Sequence, residues 1–352
     1  MPLPSWMRAA LLKGHGGFEQ LEVREDVPVP APGAGDVLVA IGAAAVNNTD
    51  INLRTGWYSK QADAAAADER AADAGWTGSA LRFPRIQGAD ACGTIVAAGA
   101  ATDARRIGER VIIDPVLRPP GGGLDGTRYF GSDCDGAFAA YAVVPAANAR
   151  TVRSALSDVE LATFPCSYTA AENMVSRAGV VGDDVVLVTG ASGGVGSAAL
   201  QLARRRGARV IAVAGASKAA AVAVLGASRV IARDADLRAE LGPESVDVII
   251  DVAGGAAFRS YPDLLRRGGR YAVAGAIAGA LVELDLRSLY LKDLALLGCT
   301  VPSPAVFSDL VGYIERGEIR PLVSAVYPLA DIARAQHDFL SKNHVGKIVL
   351  VP

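Results

Sequence analysis

Val185-Val186-Leu187-Val188-Thr189 runs into Gly190-Ala191-Ser192-Gly193-Gly194-Val195-Gly196, then a helical stretch over residues 197–206, then Arg209-Val210-Ile211-Ala212-Val213-Ala214. A strand, a glycine turn, a helix and a second strand in that order form the unit that holds a dinucleotide pyrophosphate. Gly193, Gly194 and Gly196 can take backbone angles closed to other residues and let the chain approach the phosphates. The phosphate charge then meets the free N–H groups and positive dipole end of the following helix. Ser192, Gly193, Gly194, Val195 and Gly196 are thus the expected contacts of a nicotinamide dinucleotide. A bare glycine turn in a protein without ligand is the alternative, and the order of the elements argues against it.

The end of the second strand bears on which dinucleotide. An NAD-specific site carries an Asp or Glu about 20 residues beyond the glycines to bond the ribose 2′-hydroxyl. This chain has Gly215-Ala216-Ser217-Lys218 there. A carboxylate would repel a 2′-phosphate, whereas the Ser217 hydroxyl and Lys218 ammonium can hold one, so NADPH is the expected cofactor. The plainer alternative is that Ser217 caps the next helix and Lys218 is solvated.

Composition narrows the function classes. The chain has 352 residues, enough for two cores, and a formal net charge of −2 with interspersed charges. It offers no basic face for a nucleic-acid backbone. Cys92, Cys134, Cys166 and Cys299 are widely spaced, without a Cys-x-x-Cys pair, and suggest neither a disulfide framework nor a four-cysteine zinc knot. No signal-peptide core is seen and no apolar run reaches the ~20 residues of a membrane span, so a soluble cytoplasmic protein is expected.

Working outward, residues before about 153 read as short strands punctuated by Gly and Pro: Val37 to Ile41, Gly93 to Ala97, Arg110 to Ile113 and Ala139 to Val144. That spacing suggests a small barrel. From Ser154 helices alternate with strands near Val185, Val210, Arg229, Val246 and Arg270, the pattern of a doubly wound parallel sheet. The tail holds a helical stretch over 306–316, an extended run over 322–327, a helix over 331–342 and a strand over 347–351. It is expected to return to the first domain and leave the active site in a cleft between two lobes. Residues 61–79 are Ala- and Asp-rich without strand pattern, either a solvated loop or a lid.

The chain resembles the medium-chain dehydrogenases/reductases, and within them the zinc-independent quinone oxidoreductase, zeta-crystallin-like branch. The resemblance rests on Val46-Asn47-Asn48-Thr49-Asp50 with Arg54-Thr55-Gly56-Trp57-Tyr58, on Gln87-Gly88-Ala89-Asp90-Ala91-Cys92-Gly93-Thr94-Ile95-Val96, and on Gly108-Glu109-Arg110-Val111. It continues through Gly136-Ala137-Phe138-Ala139-Ala140-Tyr141, the 191–196 loop and Gly346-Lys347-Ile348-Val349-Leu350. It implies an α/β protein with a GroES-like β-barrel catalytic domain, residues 1–153 and 303–352, and a Rossmann NADP-binding domain, residues 154–302.

Zinc alcohol dehydrogenases of the same superfamily are the rival reading. The resemblance matches their Cys, His and Cys or Asp ligands to Asn47, Ala89 and Cys166, so one of three survives, and a catalytic zinc needs three. No metal is expected. Without one, reduction of a quinone or of the activated C=C bond of an α,β-unsaturated carbonyl compound fits, because neutral donors can stabilise the enolate oxygen. The resemblance implies that Asn47 and Tyr58 face the nicotinamide, Asn47 as an orienting amide and Tyr58 as donor or proton relay. A turn-capping amide and an aromatic of the barrel surface are the plainer roles. Many relatives carry a Thr near the nicotinamide at the position of Ala170; here Thr169 lies one place earlier. Strand ends place Gly254, Gly275 and Ile277 beside the cofactor. A non-catalytic NADPH-binding protein is the remaining class. The leucine-rich segment 282–299 points to a homodimer paired through sheet edges.

Overall fold

A computed structural model describes residues 3–60, 72–119, 121 and 125–352. Contacts divide the chain into a unit of residues 1–166 with 321–352 and a unit of residues 167–320.

The second unit is built on a six-stranded sheet, entirely parallel, in the order Arg229–Ala232, Arg209–Ala214, Val185–Val188, Val246–Asp251, Leu265–Val273, Ala295–Gly298. All four residues of Val185–Val188 are buried, as a central parallel strand covered on both faces requires. The chain winds outward from this strand in one direction and then returns to Val246–Asp251 on its other side. The reversal point, where ligands bind in such sheets, therefore lies beyond Val188 and Asp251.

Between strand and helix the glycine loop corrects one part of the sequence reading. The left-handed backbone belongs to Gly190, at φ 55°, while Gly193 is extended at φ −82° and Gly194 and Gly196 are not left-handed. Gly196 is required by space: a Cβ there would lie 2.2 Å from the Gly190 carbonyl oxygen. The absent side chain lets the helix Gly194–Arg205 start directly against the turn.

The first unit is mainly antiparallel, the barrel-like arrangement expected. Its main sheet runs Ala149–Thr151, Arg110–Ile113, Asp90–Ala98, Asp36–Ala45, Lys347–Val351, Val323–Pro328, with Tyr141–Pro145 also paired to Asp36–Ala45. Alternating side chains of Asp36–Ala45, among them Val37, Val39 and Ile41, enter a core with Ile95, Val111, Phe130 and Phe138. The anticipated strand over 139–144 is displaced: pairing begins at Tyr141, and Ala139 makes only a bridge to Ala9.

The unit boundaries fall at 166 and 321, against 153 and 303 from the change of sequence period. Residues after 153 stay with the first unit because Arg110 pairs with Asp158 at 2.7 Å and donates to the Ser154 and Leu156 carbonyls. The helix Pro304–Glu315 stays with the second, where Arg205 pairs with Glu318 and stacks over Tyr313, and Gln201 accepts the Arg320 N–H at 2.9 Å.

Part of the 61–79 segment, residues 61–71, lies outside the described residues. The remainder is tied down: Trp76 N–H donates to Ser132 Oγ, Thr77 Oγ1 to Asp133, and the Trp76 ring stacks on Tyr129 at 4.5 Å. Among the described residues no helix is long and apolar enough to cross a membrane. Replacing Gly196 with Ala should cost about 1–3 kcal/mol by forcing a methyl against the Gly190 backbone, measured as a lower urea midpoint.

Candidate functional site

In the first unit, strand register brings the chemistry together. Asp36–Ala45 pairs Ala45 with Asp90 on one side and with Val349 on the other, antiparallel in both cases. Two residues beyond Ala45 comes Asn47, and two residues before Val349 comes Lys347. Asn47, Asp90 and Lys347 are consequently neighbours, all at least 95% buried.

Their bonds form a closed set. The Lys347 ammonium lies 2.7 Å from Asp90 Oδ2 and donates to Asn47 Oδ1. Asn47 Nδ2 donates to the same Asp90 oxygen at 2.8 Å and to the Ala45 carbonyl at 3.1 Å. Both amide hydrogens of Asn47 are therefore engaged within the protein, and its oxygen is turned toward the ammonium. The other Asp90 oxygen accepts the Cys166 N–H at 2.6 Å.

Asn47 also stands at the N-cap of the helix Asn48–Thr55, and its own N–H is capped by Asp50 Oδ2 at 2.7 Å. Asp50 further accepts the Gly88 N–H at 3.3 Å. Burial drives its carboxyl up to about 7, against the pull of these N–H groups and of Lys347.

Two phenols adjoin this set. Tyr58, just past the helix end at Gly56, is half-buried and donates to Thr49 Oγ1 at 3.1 Å. Tyr129, backed by Trp76, donates to Cys166 Sγ at 3.1 Å. Burial raises both pKa values, and each phenol lies within electrostatic reach of Cys166. They are protonated donors at neutral pH. Burial first, then the Asp90 carboxylate, pushes the Cys166 thiol up to about 12, so it is neither thiolate nor nucleophile. Tyr129, Asp90 and Lys347 were not singled out as site residues from sequence. Only the register of strands nearly the whole chain apart reveals Lys347.

The second unit carries a separate constellation. The loop residues Ser192, Gly193, Gly194 and Val195 are partly exposed, and the helix Gly194–Arg205 has no side-chain cap, which leaves its first N–H groups available to an anion. At the carboxyl edge of the sheet, buried Asp251 organises the neighbouring loop. It accepts from Thr189 Oγ1 at 2.5 Å, from the Tyr271 hydroxyl at 2.7 Å and from the Ala253 and Gly254 N–H groups. That sets Gly254, left-handed at φ 64°, beyond the strand end, while Gly275 packs where a Cβ would lie 2.9 Å from the Val252 carbonyl. Ile277 is exposed. Thr169 is 3% exposed, and its Oγ1 has no hydrogen-bond partner among the described residues.

Beyond Arg209–Ala214, Ser217 is exposed and the short helix Ala219–Ala223 takes no side-chain cap, which sets aside the capping role. Arg233, whose N–H donates to the Ala214 carbonyl at 2.9 Å, stands near Lys218. Burial first and then the Arg233 charge lower the Lys218 pKa. A second cation beside Lys218 was not anticipated, although Arg233 directly follows the strand that pairs with 211–214.

Comparison with known proteins adds the family context. Residues 33–154 match the alcohol dehydrogenase GroES-like domain and residues 194–316 the zinc-binding dehydrogenase domain. Acryloyl-coenzyme A reductase of Metallosphaera sedula is 28% identical, covering 98% of this chain and 99% of its own. Quinone oxidoreductase of Lama guanicoe is also 28% identical, over 98% and 97%. Among solved structures, one from Sinorhizobium meliloti 1021, designated an alcohol dehydrogenase, is 48% identical with TM-score 0.92 over 99% and 98% of the chains. A 2-octenoyl-CoA carboxylase reductase, solved with NADP and 2-octenoyl-CoA, is 26% identical with TM-score 0.82 over 99% of this chain and 88% of that one.

The residues present fit a dinucleotide in the second unit: helix N–H groups without a side-chain cap, the neighbouring cations Lys218 and Arg233, and the Thr169 hydroxyl, unpartnered among the described residues. They do not fit a catalytic zinc in the first. The ligand positions read Asn47, Ala89 and Cys166, and the Lys347 ammonium contacts both Asn47 Oδ1 and Asp90.

Asp50 makes the stability pH-dependent in a defined sense. Folded Asp50 keeps its proton up to about 7, whereas the unfolded side chain loses it near ~3.9. The folded state thus binds more protons in that window, and this contribution falls as pH rises from about 4 to 7. Relative to Asp50→Asn, the wild-type unfolding free energy should decline by up to ~1.4 kcal/mol per pH unit there and level off above. Urea titrations across pH 4–8 measure it.

Proposed function

Since this chain belongs to the medium-chain dehydrogenase/reductase superfamily, in its quinone oxidoreductase-like branch, we propose that it uses NADPH to reduce a quinone or the activated C=C bond of an α,β-unsaturated carbonyl compound, without zinc. The observation that carries this reading is the polar set of the first unit. It offers a buried ion pair and neutral phenols where an alcohol dehydrogenase of this superfamily would need metal ligands.

When bound, the nicotinamide supplies hydride to the β-carbon of the acceptor. Negative charge then collects on the carbonyl oxygen as an enolate, which a preorganised, weakly solvated donor stabilises. Tyr58 is the proposed donor: its hydroxyl, held by Thr49 and beside Asn52, belongs to a half-buried side chain and would turn from Thr49 to the substrate oxygen. Asn47, with both amide hydrogens committed, serves in this scheme to orient the surrounding groups. Thr169 is the proposed contact for the nicotinamide end, and Ser192 to Gly196 for the pyrophosphate. Ser217, Lys218 and Arg233 are proposed to hold the 2′-phosphate, with Gly254, Gly275 and Ile277 along the strand ends. Similarity to acryloyl- and octenoyl-CoA reductases makes enoyl thioesters part of the substrate class to test.

The second unit ends in Ala295–Gly298, paired on one side only among the described strands, next to a cavity of about 310 Å³ lined by Phe258, Val282, Leu284, Leu296 and Leu297. Leu286, Tyr290 and Leu291 are exposed alongside. A second copy of the chain covering this edge is the proposed assembly, and light scattering at micromolar concentration should give a dimer.

Steady-state NADPH oxidation with a panel of quinones, enones and enoyl thioesters is the direct test; no turnover with any member, despite NADPH binding, would leave a binding protein. Tyr58→Phe should lower kcat on the order of 10²-fold at unchanged melting temperature. Lys218→Ala should weaken NADPH by roughly 1.5–3 kcal/mol and leave NADH little changed, read by nicotinamide fluorescence titration.

A further inference from the structure

Tyr129 is held from several directions, and its hydroxyl meets only a weak acceptor. Its N–H donates to Asp133 Oδ2 at 2.7 Å, and its carbonyl accepts the Ser132 and Asp133 N–H groups at 3.1 and 2.9 Å. The ring is stacked on Trp76, with centroids 4.5 Å apart and planes 21° from parallel. Trp76 is pinned to the same turn, its N–H on Ser132 Oγ and the neighbouring Thr77 hydroxyl on Asp133. The Tyr129 side chain is buried, and its O–H reaches Cys166 Sγ at 3.1 Å. A thiol sulfur is a weak acceptor, so this fixed and nearly dry O–H keeps much of its donor strength unused.

Tyr58 stands close by. It lies within electrostatic reach of both Tyr129 and Cys166, and its own hydroxyl rests on Thr49. Its ring packs against the buried cluster of Leu12, Leu53 and Leu81. Two phenols thus adjoin one thiol, each with its ring held and its O–H able to rotate. Donors already in place where charge develops on an oxygen are what stabilises that charge in a dry site.

We propose that Tyr129 is a second catalytic donor: its O–H turns from the Cys166 sulfur to the substrate's carbonyl oxygen and shares that oxygen with Tyr58. The proposal rests on the reductase reading above and deepens it. For an enone, hydride from the bound cofactor forms the new C–H bond at the β-carbon, the C=C electron pair shifts so that charge settles on the carbonyl oxygen, and solvent later delivers a proton to the α-carbon. Tyr129 keeps its own proton throughout and contributes hydrogen bonding alone. The thiol serves as its resting partner, enough to satisfy a buried hydroxyl and too weak to hold it against an anion.

The anion of 4-nitrophenol reads these donors without turnover, its charged oxygen standing in for the enolate. Wild type, Tyr129→Phe and Cys166→Ser would be titrated with it by absorption in the presence of NADP+, and kcat measured separately on the panel of quinones, enones and enoyl thioesters. Tyr129→Phe is expected to weaken the anion about 10-fold or more and to lower kcat on the order of 10²-fold, at unchanged melting temperature and NADPH affinity. Cys166→Ser leaves both phenols in place but offers Tyr129 a stronger acceptor, and is expected to weaken the anion several-fold. Anion binding unmoved in either variant, kcat unmoved in Tyr129→Phe, or a wild type that binds no anion overturns the proposal, while turnover by wild type keeps the reductase reading standing. A wild type that turns over no member of the panel removes both. If Tyr129→Phe does not fold, Cys166→Ser carries the test by the same titration: weaker anion binding supports the proposal and unchanged binding overturns it.

Discussion

An ammonium 3% exposed against a carboxylate with no exposure at all is the contact around which the first unit is arranged. Taking both charges out of water costs several kcal/mol per ion, offset only when geometry and further hydrogen bonds are good. Here the Asn47 amide and the Cys166 N–H complete the carboxylate's partners, and three adjacent strands must hold register for any of it to form. A slip of one residue in Lys347–Val351 would turn the lysine to the opposite face. A charge pair of this kind is a poor source of net stability and a strong source of uniqueness, because every misregistered alternative leaves a buried charge alone.

The second unit solves a parallel problem with a neutral set. Among the described residues no cation pairs with Asp251; two hydroxyls and two backbone N–H groups share its charge at the sheet's carboxyl edge. Those bonds hold the turn that presents Gly254 and Ala253. In both units a buried carboxylate shapes the polypeptide next to the chemistry while leaving the chemistry to other groups.

The second unit was the more legible in sequence because its signals are local. Strand, glycine turn and helix follow within thirty-odd residues, and parallel strands buried on both faces read as plain apolar runs. Even so, the glycines misled in detail: Gly190 supplies the unusual backbone angle and Gly196 the close approach. The first unit's site was half legible. Asn47 and Tyr58 sit in one short segment that the family resemblance marks, but Asp90, Tyr129 and Lys347 come from segments that only strand pairing brings near. A lysine four residues before the end of an apolar strand reads as a solvated surface cation, since nothing local shows which carboxylate it meets. Domain boundaries shifted for a similar reason: Arg110 with Asp158, and Arg205 with Glu318, tie connecting segments to units that periodicity alone assigns elsewhere.

Lys347 and Asn47 are separated by 300 residues. At ~5–20 residues per second a ribosome needs roughly 15 to 60 s to travel from one to the other. From Asp90 onward, 43 residues into that stretch, the carboxylate has been made and its counter-ion has not. The second unit is one uninterrupted stretch of chain and is complete before the lysine emerges. The first unit must therefore wait, with its carboxylate hydrated and the place of Lys347–Val351 in the sheet unfilled, exposing the Ala44-Ala45 end of a strand whose opposite end is already paired with Tyr141–Pro145. Birth of the protein thus has a vulnerable phase set by chain order, and a nascent chain interrupted within it presents an open strand edge to whatever binds such edges.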